Sequence, residues 1–290
     1  NQMKISESIK LIKQKIRDQA EYNVTIPKHN IKLNQNESPY DWSNDLKLKI
    51  LSKLEKTPWN RYPDLKANNL MEKIAQILNC SSNQIVLGKG SNEVIQSIIT
   101  SIISTNDKVC VLNPTFPIYR MITNQNDGII IESKLDEEFK INEKDLLEKA
   151  LKSKITILCN PNSPTGSLIS LDIIEEILKS IKGFLVVDEA YVDFSKSTCL
   201  SLLSKNSNLI VTRTFSKAFG LAAFRLGYAV MHSKVAAEIQ KCMLPFNIDK
   251  PSIIAGNIIL SDYKKIIEYS DKIINEREKL IFRINQLDDL

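Results

Sequence analysis

The sequence contains little glycine and little histidine. Glycine accounts for eight of 290 residues, about 3% against a typical ~7%, so the positions of these eight are informative. The two histidines, His29 and His232, lie far apart, and the five cysteines form no Cys-x-x-Cys pair. No metal site is therefore predicted.

Long apolar runs are absent as well. No segment approaches the roughly eighteen residues that a membrane-spanning helix requires, and the polar first residues lack the apolar core of a signal peptide. The cysteines are odd in number and most lie beside apolar runs, which predicts buried free thiols in a reducing cytoplasm. We therefore expect a cytoplasmic protein without a membrane partner.

An excess of charge of one sign is also lacking. The chain has 39 Lys and Arg against 34 Asp and Glu, a net charge of +5, and the basic residues form no block and do not alternate with aromatic residues. Nucleic-acid binding is therefore not expected. A hydrophobic content of 43% excludes a disordered chain, and neither a repeat nor a flexible linker is present.

Short β-branched runs alternate with helical segments from about residue 67 to residue 231. Most of these runs are continuously apolar, as expected for strands that are covered on both faces. The alternation predicts an α/β fold, with a seven-stranded, mainly parallel sheet sandwiched by helices. The candidate strands are Gln84–Leu87, Lys108–Leu112, Gly128–Glu132, Ile155–Cys159, Phe184–Val187, Leu209–Thr212 and Arg225–Met231.

Helical spacing is clearest in four other segments. A charged amphipathic helix is expected over the first ~20 residues, and further helices are expected over residues 45–56, 233–245 and 261–287.

Ligands of such sheets bind beyond the carboxyl ends of the strands, so the residues after each strand are the candidates for function. Five of the eight glycines lie in or next to these predicted turns. The turn Gly88–Glu93 precedes a helix and could cradle a phosphate, with Ser91 as the helix cap, although the segment taken alone favours a plain capped turn.

Two further turns carry charged side chains. The apolar run before Asp188 and Glu189 places carboxylates at a strand end, where a metal, a base, a protonated ring nitrogen or the next helix could engage them. Lys217 lies among Ala, Phe and Leu, and apolar surroundings lower the pKa of a lysine and make it a nucleophile that can form a Schiff base. Arg225, eight residues later, could bind an anion at the same site.

Four motifs, in this order along the chain, resemble the fold-type-I pyridoxal-phosphate aminotransferases. They are Pro-Thr-Phe-x-x-Tyr at 114–119, Asn-Pro-Asn-Ser-Pro-Thr-Gly at 160–166, Asp-Glu-Ala-Tyr at 188–191 and the string Ser-Lys-Ala-Phe-Gly-Leu-Ala-Ala-Phe-Arg-Leu-Gly-Tyr at 216–228. The segments 32–40 and 59–64 are similar to the histidinol-phosphate aminotransferase branch in particular. The resemblance covers roughly residues 20–287.

The resemblance implies pyridoxal 5′-phosphate as cofactor and gives roles to residues around its ring. Lys217 is implied as the Schiff-base lysine, Asp188 as the partner of the ring nitrogen and Tyr191 as a donor to the ring hydroxyl O3′. Phe116 is implied to stack on the ring. Asn162 is implied as the second O3′ partner, because the usual Asn before Pro-Thr-Gly is Ser163 here, and Ser163 stays an alternative.

The resemblance also gives roles around the phosphate and the substrate. The residues implied to hold the phosphate are Gly90, Ser91, Asn92, Thr214, Ser216 and Arg225. Tyr62 is implied to reach the phosphate of a neighbouring subunit, which predicts a homodimer with shared active sites. The residues implied to contact a phosphorylated amino donor or acceptor are Tyr22, Asn36 and Tyr40.

The resemblance divides the chain into three parts. Residues 1–44 are expected to form an N-terminal arm that belongs to the small domain and the dimer contact, residues 45–245 a large cofactor-binding domain, and residues 246–290 the start of a small domain. The small-domain segment with the substrate-binding Arg of the family has no counterpart before Leu290, so we expect this domain to be incomplete in the sequence.

The implied reaction transfers an amino group from histidinol phosphate to 2-oxoglutarate, giving imidazole-acetol phosphate and glutamate. Two alternatives share these motifs. One is a decarboxylase of an amino-acid phosphate such as threonine phosphate, and the other is a truncated, non-catalytic member of the family.

Overall fold

A seven-stranded sheet forms the centre of the protein. The computed structural model describes residues 3–21, 23 and 31–287. The strand order is β1-β7-β6-β5-β4-β2-β3, with β7 antiparallel to both neighbours and the other adjacent pairs parallel. The strands are β1 Ile85–Lys89, β2 Lys108–Asn113, β3 Ile129–Lys134, β4 Ile155–Cys159, β5 Phe184–Asp188, β6 Leu209–Thr214 and β7 Leu226–Met231. The predicted mainly parallel sheet is confirmed, and strand ends differ from the prediction by at most two residues.

The apolar runs form strands because both faces of the sheet are covered. In β5, Leu185 and Val187 belong to one hydrophobic cluster, whereas Val186 belongs to the cluster on the opposite face. All five residues of β4 and all six of β7 are buried. Continuous apolar sequence is what a sheet buried on both sides requires.

Helices cover both faces of the sheet. They are α1 Ile5–Lys10, α2 Gln14–Arg17, α3 Asn44–Glu55, α4 Asn68–Leu78, α5 Gly90–Ile102, α6 Ile118–Gln125, α7 Glu143–Leu151, α8 Leu171–Ser180, α9 Val192–Ser195, α10 Ser233–Ile239, α11 Lys250–Leu260 and α12 Tyr263–Ile284. Short 3₁₀ turns lie at Ser82–Gln84, Leu200–Leu202, Ala222–Phe224 and Gln240–Cys242. Among the described residues, none of these helices has the length and apolar character needed to cross a bilayer.

The helices differ from the prediction in two places. The first ~20 residues form the short helices α1 and α2 instead of one helix. Helix α11 was not expected, because eight of its eleven residues are buried and its sequence therefore shows little amphipathic periodicity. Its start has a local signal, since the Asp249 side chain accepts a hydrogen bond from the Ser252 N–H and Pro251 lies in the first turn.

Helix α11 packs into the same core as the sheet. A Cβ built on Gly256 would lie 2.7 Å from the Leu226 side chain of β7 and 3.0 Å from that of Leu70 in α4. Ile253 and Ile254 belong to the hydrophobic cluster that contains Leu226. The division of the chain at residues 245 and 246 stays a prediction.

The segment before α3 is anchored to the loop after β6 by one tryptophan. Trp42 is buried, and its Nε1–H donates to the Phe219 carbonyl oxygen at 2.9 Å. Its ring also contacts Tyr269 of α12, with ring centroids 5.9 Å apart. Trp42 therefore joins the arm, the β6 loop and α12.

Replacing Trp42 with Phe is expected to lower the free energy of unfolding by about 2 kcal/mol, because it leaves the buried Phe219 carbonyl without its donor. Trp59 is the matched control, since it is 79% exposed and donates to the Leu54 carbonyl at the surface. Trp59→Phe is expected to change stability by less than about 0.5 kcal/mol. Urea denaturation followed by circular dichroism measures both, and equal losses would contradict the anchoring role of Trp42.

Candidate active site

A cavity of about 430 Å³ opens at the carboxyl ends of the central parallel strands. Residues from the arm, from the ends of β4, β5 and β6 and the loops that follow them, from the loop after β2, from the start of α5 and from the position before β7 form its wall. The structure brings together ten of the predicted residues on its wall, namely Asn36, Ser91, Asn92, Phe116, Asp188, Tyr191, Thr214, Ser216, Lys217 and Arg225.

Asp188 is the buried acid of this cavity. Its Oδ2 accepts from the Tyr119 hydroxyl at 2.7 Å, and its Oδ1 accepts from the Thr212 hydroxyl at 3.0 Å. Burial raises the pKa of Asp188, while these two hydroxyls and the Ala190 N–H lower it. A buried carboxylate of this kind is suited to face a cation in the cavity.

Tyr119 is the residue that the sequence analysis missed. It is fully buried, on the first turn of α6. The signal was present, because Tyr119 is the last residue of the Pro-Thr-Phe-x-x-Tyr motif, to which no role was given.

Glu189, the second carboxylate of the pair, faces away from the cavity. It receives two hydrogen bonds from the Arg213 guanidinium, at 3.0 and 2.8 Å, one from the Cys199 N–H at 2.7 Å, and others from the Thr198 hydroxyl. These contacts with Arg213 of β6 and with Thr198 and Cys199 link Glu189, directly after β5, to β6 and to the loop after α9.

Lys217 projects from the loop after β6 into the cavity. Its Nζ donates to the Gln35 carbonyl at 2.6 Å and lies 5.5 Å from the Tyr191 ring centroid. Burial is the main cause that lowers the pKa of Lys217, and Arg225 lowers it further. A lowered pKa increases the fraction of the amine that is unprotonated and nucleophilic.

The start of α5 and the Arg225 guanidinium form a site for an anion. Ser91 was predicted to cap α5, but α5 begins at Gly90, so Ser91 lies inside its first turn and no side chain caps the helix. Arg225 Nη1 donates to the Ser216 hydroxyl at 3.2 Å, and the Thr214 hydroxyl lies 3.1 Å from that of Ser216. Helix N–H groups, hydroxyls and a guanidinium together favour phosphate binding.

Two glycines let these elements approach each other. A Cβ on Gly90, which has φ +75°, would lie 2.6 Å from Arg225 Nη2, and a Cβ on Gly227 would lie 2.2 Å from the Ser91 nitrogen. Gly227 pairs with Gly88 across β7 and β1. Gly88 was predicted in a turn but lies within β1, whereas Gly227 lies within β7, inside the predicted strand Arg225–Met231.

Asn162 is engaged within its own loop region. Its Oδ1 accepts from the Thr115 hydroxyl at 2.7 Å, and its Nδ2 donates to the Pro114 carbonyl at 3.0 Å and to the Thr165 hydroxyl at 2.9 Å. Ser163 borders the cavity instead. Burial raises the pKa of Tyr191, while the neighbouring Asn36 and Ser163 side chains lower it. The placement favours Ser163 over Asn162 as the group beside Tyr191.

The remaining predicted residues divide into two groups. Phe116 lines the cavity, and the Asn36 Nδ2 donates to the Tyr191 hydroxyl at 3.1 Å. Tyr40 and Tyr62 lie away from the cavity, stacked on Tyr269 and Phe246 respectively. Tyr22 lies outside the described residues.

A second cavity of about 800 Å³ adjoins the first and shares Asn36, Ser163, Tyr191 and Lys217 with it. The arm residues 32–33 and 36–39, the loop 161–166 and α12 form its walls, with the cationic side chains of Lys32 and Arg277 among them. The site therefore has one compartment with the acid and the anion cradle, and a larger one beyond Lys217.

Replacing Arg213 with Met is expected to lower the free energy of unfolding by about 3–5 kcal/mol, because it leaves the buried Glu189 carboxylate without its cation. The double variant Arg213→Met with Glu189→Gln is expected to lose less, since Gln is neutral and still accepts from the Cys199 N–H. The control Lys152→Met breaks an exposed pair with Glu148 and should cost less than about 1 kcal/mol. Urea denaturation tests this, and a double variant less stable than Arg213→Met alone would contradict it.

Comparisons with known proteins identify the family of this chain. Residues 28–290 match the family model of the class I and II aminotransferases. The histidinol-phosphate aminotransferase of Clostridium novyi is 36% identical over 97% of this chain and 79% of its own length. That of Thermococcus kodakarensis is 31% identical over 96% of this chain and 82% of its own length.

Solved structures show the same fold. The histidinol-phosphate aminotransferase of Clostridium acetobutylicum superposes with a TM-score of 0.79 at 25% identity, over 87% of this chain and 76% of that one. The Sinorhizobium meliloti enzyme, solved with pyridoxal 5′-phosphate, gives a TM-score of 0.78 at 24% identity, over 85% and 68%. The chain therefore belongs to the class I and II aminotransferases and has histidinol-phosphate aminotransferases among its relatives.

Proposed function

We propose that this protein transfers the amino group of histidinol phosphate to 2-oxoglutarate, with pyridoxal 5′-phosphate as its cofactor. The names of the curated relatives support the substrate and the reaction. The observation that carries the proposal is one cavity that holds a nucleophilic lysine, a buried carboxylate and an anion cradle, from Lys217, Asp188 and Arg225. The lysine can form the Schiff base with the cofactor, the carboxylate can pair with its ring nitrogen, and the anion cradle can bind its phosphate.

The residues present fit the cofactor. The phosphate of the cofactor would be held by the start of α5 and by the side chains of the β6 end and of the residue before β7. These residues are Gly90, Ser91, Asn92, Thr214, Ser216 and Arg225. Gly90 leaves room for the Arg225 guanidinium, which a Cβ at this position would meet. The Phe116 ring borders the same cavity, whose volume lies within the range of roughly 300–1,000 Å³ for small-molecule sites. Tyr191 and Ser163 are the candidates for the ring hydroxyl.

When bound, the cofactor supplies a protonated ring that accepts the electron pair released at the substrate's α-carbon. Asp188 holds the proton at the ring nitrogen, because the opposite charge favours the protonated form. Lys217 Nζ is placed to accept the proton from the substrate carbon and to return it, and burial, which lowers the pKa of Lys217, favours the unprotonated amine that this exchange needs.

The larger cavity is the proposed place for the substrate. Asn36 lines both compartments, which supports its predicted contact with substrate. Tyr40 stacks on Tyr269 with centroids 4.8 Å apart, so its placement supports a packing role between the arm and α12. We retain the proposed domain division, with 246–290 as the start of a small domain.

A homodimer with shared sites is part of the proposal. Tyr62 is 82% exposed and stacks on Phe246 at the surface, with centroids 4.7 Å apart. A tyrosine so placed cannot reach the cavity of its own chain, which supports contact with the site of a second copy. A cytoplasmic location is supported by the five cysteines, all free thiols.

The purified holoenzyme is expected to form glutamate from histidinol phosphate and 2-oxoglutarate. Lys217→Ala should slow this about 1,000-fold and lose the cofactor adduct that borohydride reduction fixes to the wild type. The control is Lys241→Ala, which removes a surface lysine paired with Glu238 and should keep both properties. A borohydride-stable adduct in Lys217→Ala would contradict the assignment.

The same assay separates the alternatives. Release of CO₂ from threonine phosphate without keto acid would indicate the decarboxylase. Bound cofactor that never reacts with an amino donor would indicate a non-catalytic member.

Mixing Lys217→Ala with Tyr62→Ala subunits is expected to restore activity. If Tyr62 acts in the partner's site, each mixed dimer has one site with both residues intact, so roughly a quarter of all sites regain wild-type composition. The controls are the two variants assayed separately. Activity that does not exceed their average after subunit exchange would rule out shared sites.

A further inference from the structure

Both oxygens of the Asp188 carboxylate are held by hydroxyls that the reaction itself does not use. Tyr119, from the first turn of α6, donates to Oδ2 at 2.7 Å, and Thr212, from β6, donates to Oδ1 at 3.0 Å. Tyr119 and Thr212 are each 0% exposed. The carboxylate at the end of β5 is therefore clamped from two elements, and its orientation toward the cavity is fixed.

The Tyr119 hydroxyl is a permanent donor. Burial, with Asp188 beside it, raises the pKa of Tyr119 well above its ordinary value, so the hydroxyl keeps its proton throughout the working pH range. A donor that cannot ionise stabilises the charged form of its acceptor and disfavours the protonated form. Hydrogen bonds to ionised groups are roughly twice as strong as those between neutral groups.

Tyr119 also connects Asp188 to the ring-facing wall. Its ring meets the Phe116 ring edge to face, with centroids 5.6 Å apart and an interplanar angle of 83°. Phe116 lines the cavity that Asp188 enters. One buried side chain thus fixes the acid and the aromatic wall together.

We propose that Tyr119 and Thr212 are positioning residues that hold Asp188 as an oriented carboxylate, so that the proton shared with the cofactor stays on the ring nitrogen. The inference rests on the proposed function, because it takes Asp188 as the partner of that nitrogen. Removing either hydroxyl raises the proton affinity of Asp188 and moves the shared proton toward the carboxylate.

Other titratable groups face Asp188 and must stay constant in a test. They are Cys159 at the end of β4, Glu189 with its partner Arg213, and Tyr191 and Lys217 on the loops after β5 and β6. Burial raises the pKa of the Cys159 thiol to about 12, so it stays neutral. The ¹⁵N measurement compares the variants at one pH, and the infrared titration compares each variant with the wild type over the same pH range, so that this set contributes equally to both sides of each comparison.

The first measurement is the ¹⁵N chemical shift of ring-labelled cofactor bound to the protein. Tyr119→Phe and Thr212→Val are each expected to move the signal toward that of an unprotonated pyridine, while Thr212→Ser, which keeps the hydroxyl, is expected to restore it. Tyr228→Phe is the matched control, since it removes a buried hydroxyl that faces Arg213. A signal unchanged in both Tyr119→Phe and Thr212→Val would overturn the proposal.

The second measurement needs no cofactor and separates this proposal from the proposed function. The infrared carboxyl band of Asp188, identified by its loss in Asp188→Asn, is followed against pH in the cofactor-free protein. Asp188 is expected to titrate at higher pH in Tyr119→Phe and in Thr212→Val than in the wild type and in Tyr228→Phe. Titration at the wild-type pH in both variants would overturn the proposal, and if Tyr119→Phe does not fold, the Thr212 pair still decides it.

Discussion

The burial of one carboxylate at the end of a central strand is the constraint on which the site depends. Asp188 lies on β5 in the middle of the sheet, where desolvation opposes its charge. The fold compensates for this desolvation by placing α6 and β6 beside Asp188, and each donates a hydroxyl hydrogen bond to its carboxylate, from Tyr119 and Thr212. Lys217 lies in the loop after β6 and faces the same cavity. The Asp188 carboxylate and the Lys217 amine are therefore positioned by the adjacent strands β5 and β6.

A second buried carboxylate keeps that arrangement rigid. Glu189 is bound by Arg213, Thr198 and Cys199, which joins the end of β5 to β6 and to the segment after α9. Because the two carboxylates are consecutive, their side chains point to opposite sides of the strand end. Asp188 therefore faces the cavity, whereas Glu189 stabilises the packing of β5 against β6, although the two residues are consecutive.

The scarce glycines explain how an anion site can be so close to the sheet. Gly227 in β7 lets the first turn of α5 lie directly over the strand, and Gly90 leaves room for the Arg225 guanidinium. The cavity is then covered by the arm, where the Lys217 amine meets the Gln35 carbonyl and Asn36 meets the Tyr191 hydroxyl. The hydrogen bond from Trp42 to the Phe219 carbonyl fixes this arm to the loop that carries Lys217. The same contact therefore positions the arm over the cavity and the loop with the Lys217 amine.

The sequence by itself determined the sheet, because continuous apolar runs between turn residues have few structures other than buried strands. It also determined most of the cavity wall, since the carboxyl ends of parallel strands meet at one edge: Asp188 ends a strand, Tyr191 and Lys217 follow strands, and Arg225 precedes one. Only the tertiary structure decided the partners of those residues. Helix α11 was hidden because a helix with eight of eleven residues buried shows little amphipathic periodicity. Three features depend on contacts between residues far apart in sequence: the separate roles of Asp188 and Glu189, the place of Ser163 beside Tyr191, and the hydrogen bond from Tyr119 to Asp188. Spacing along a chain does not specify which distant side chains meet.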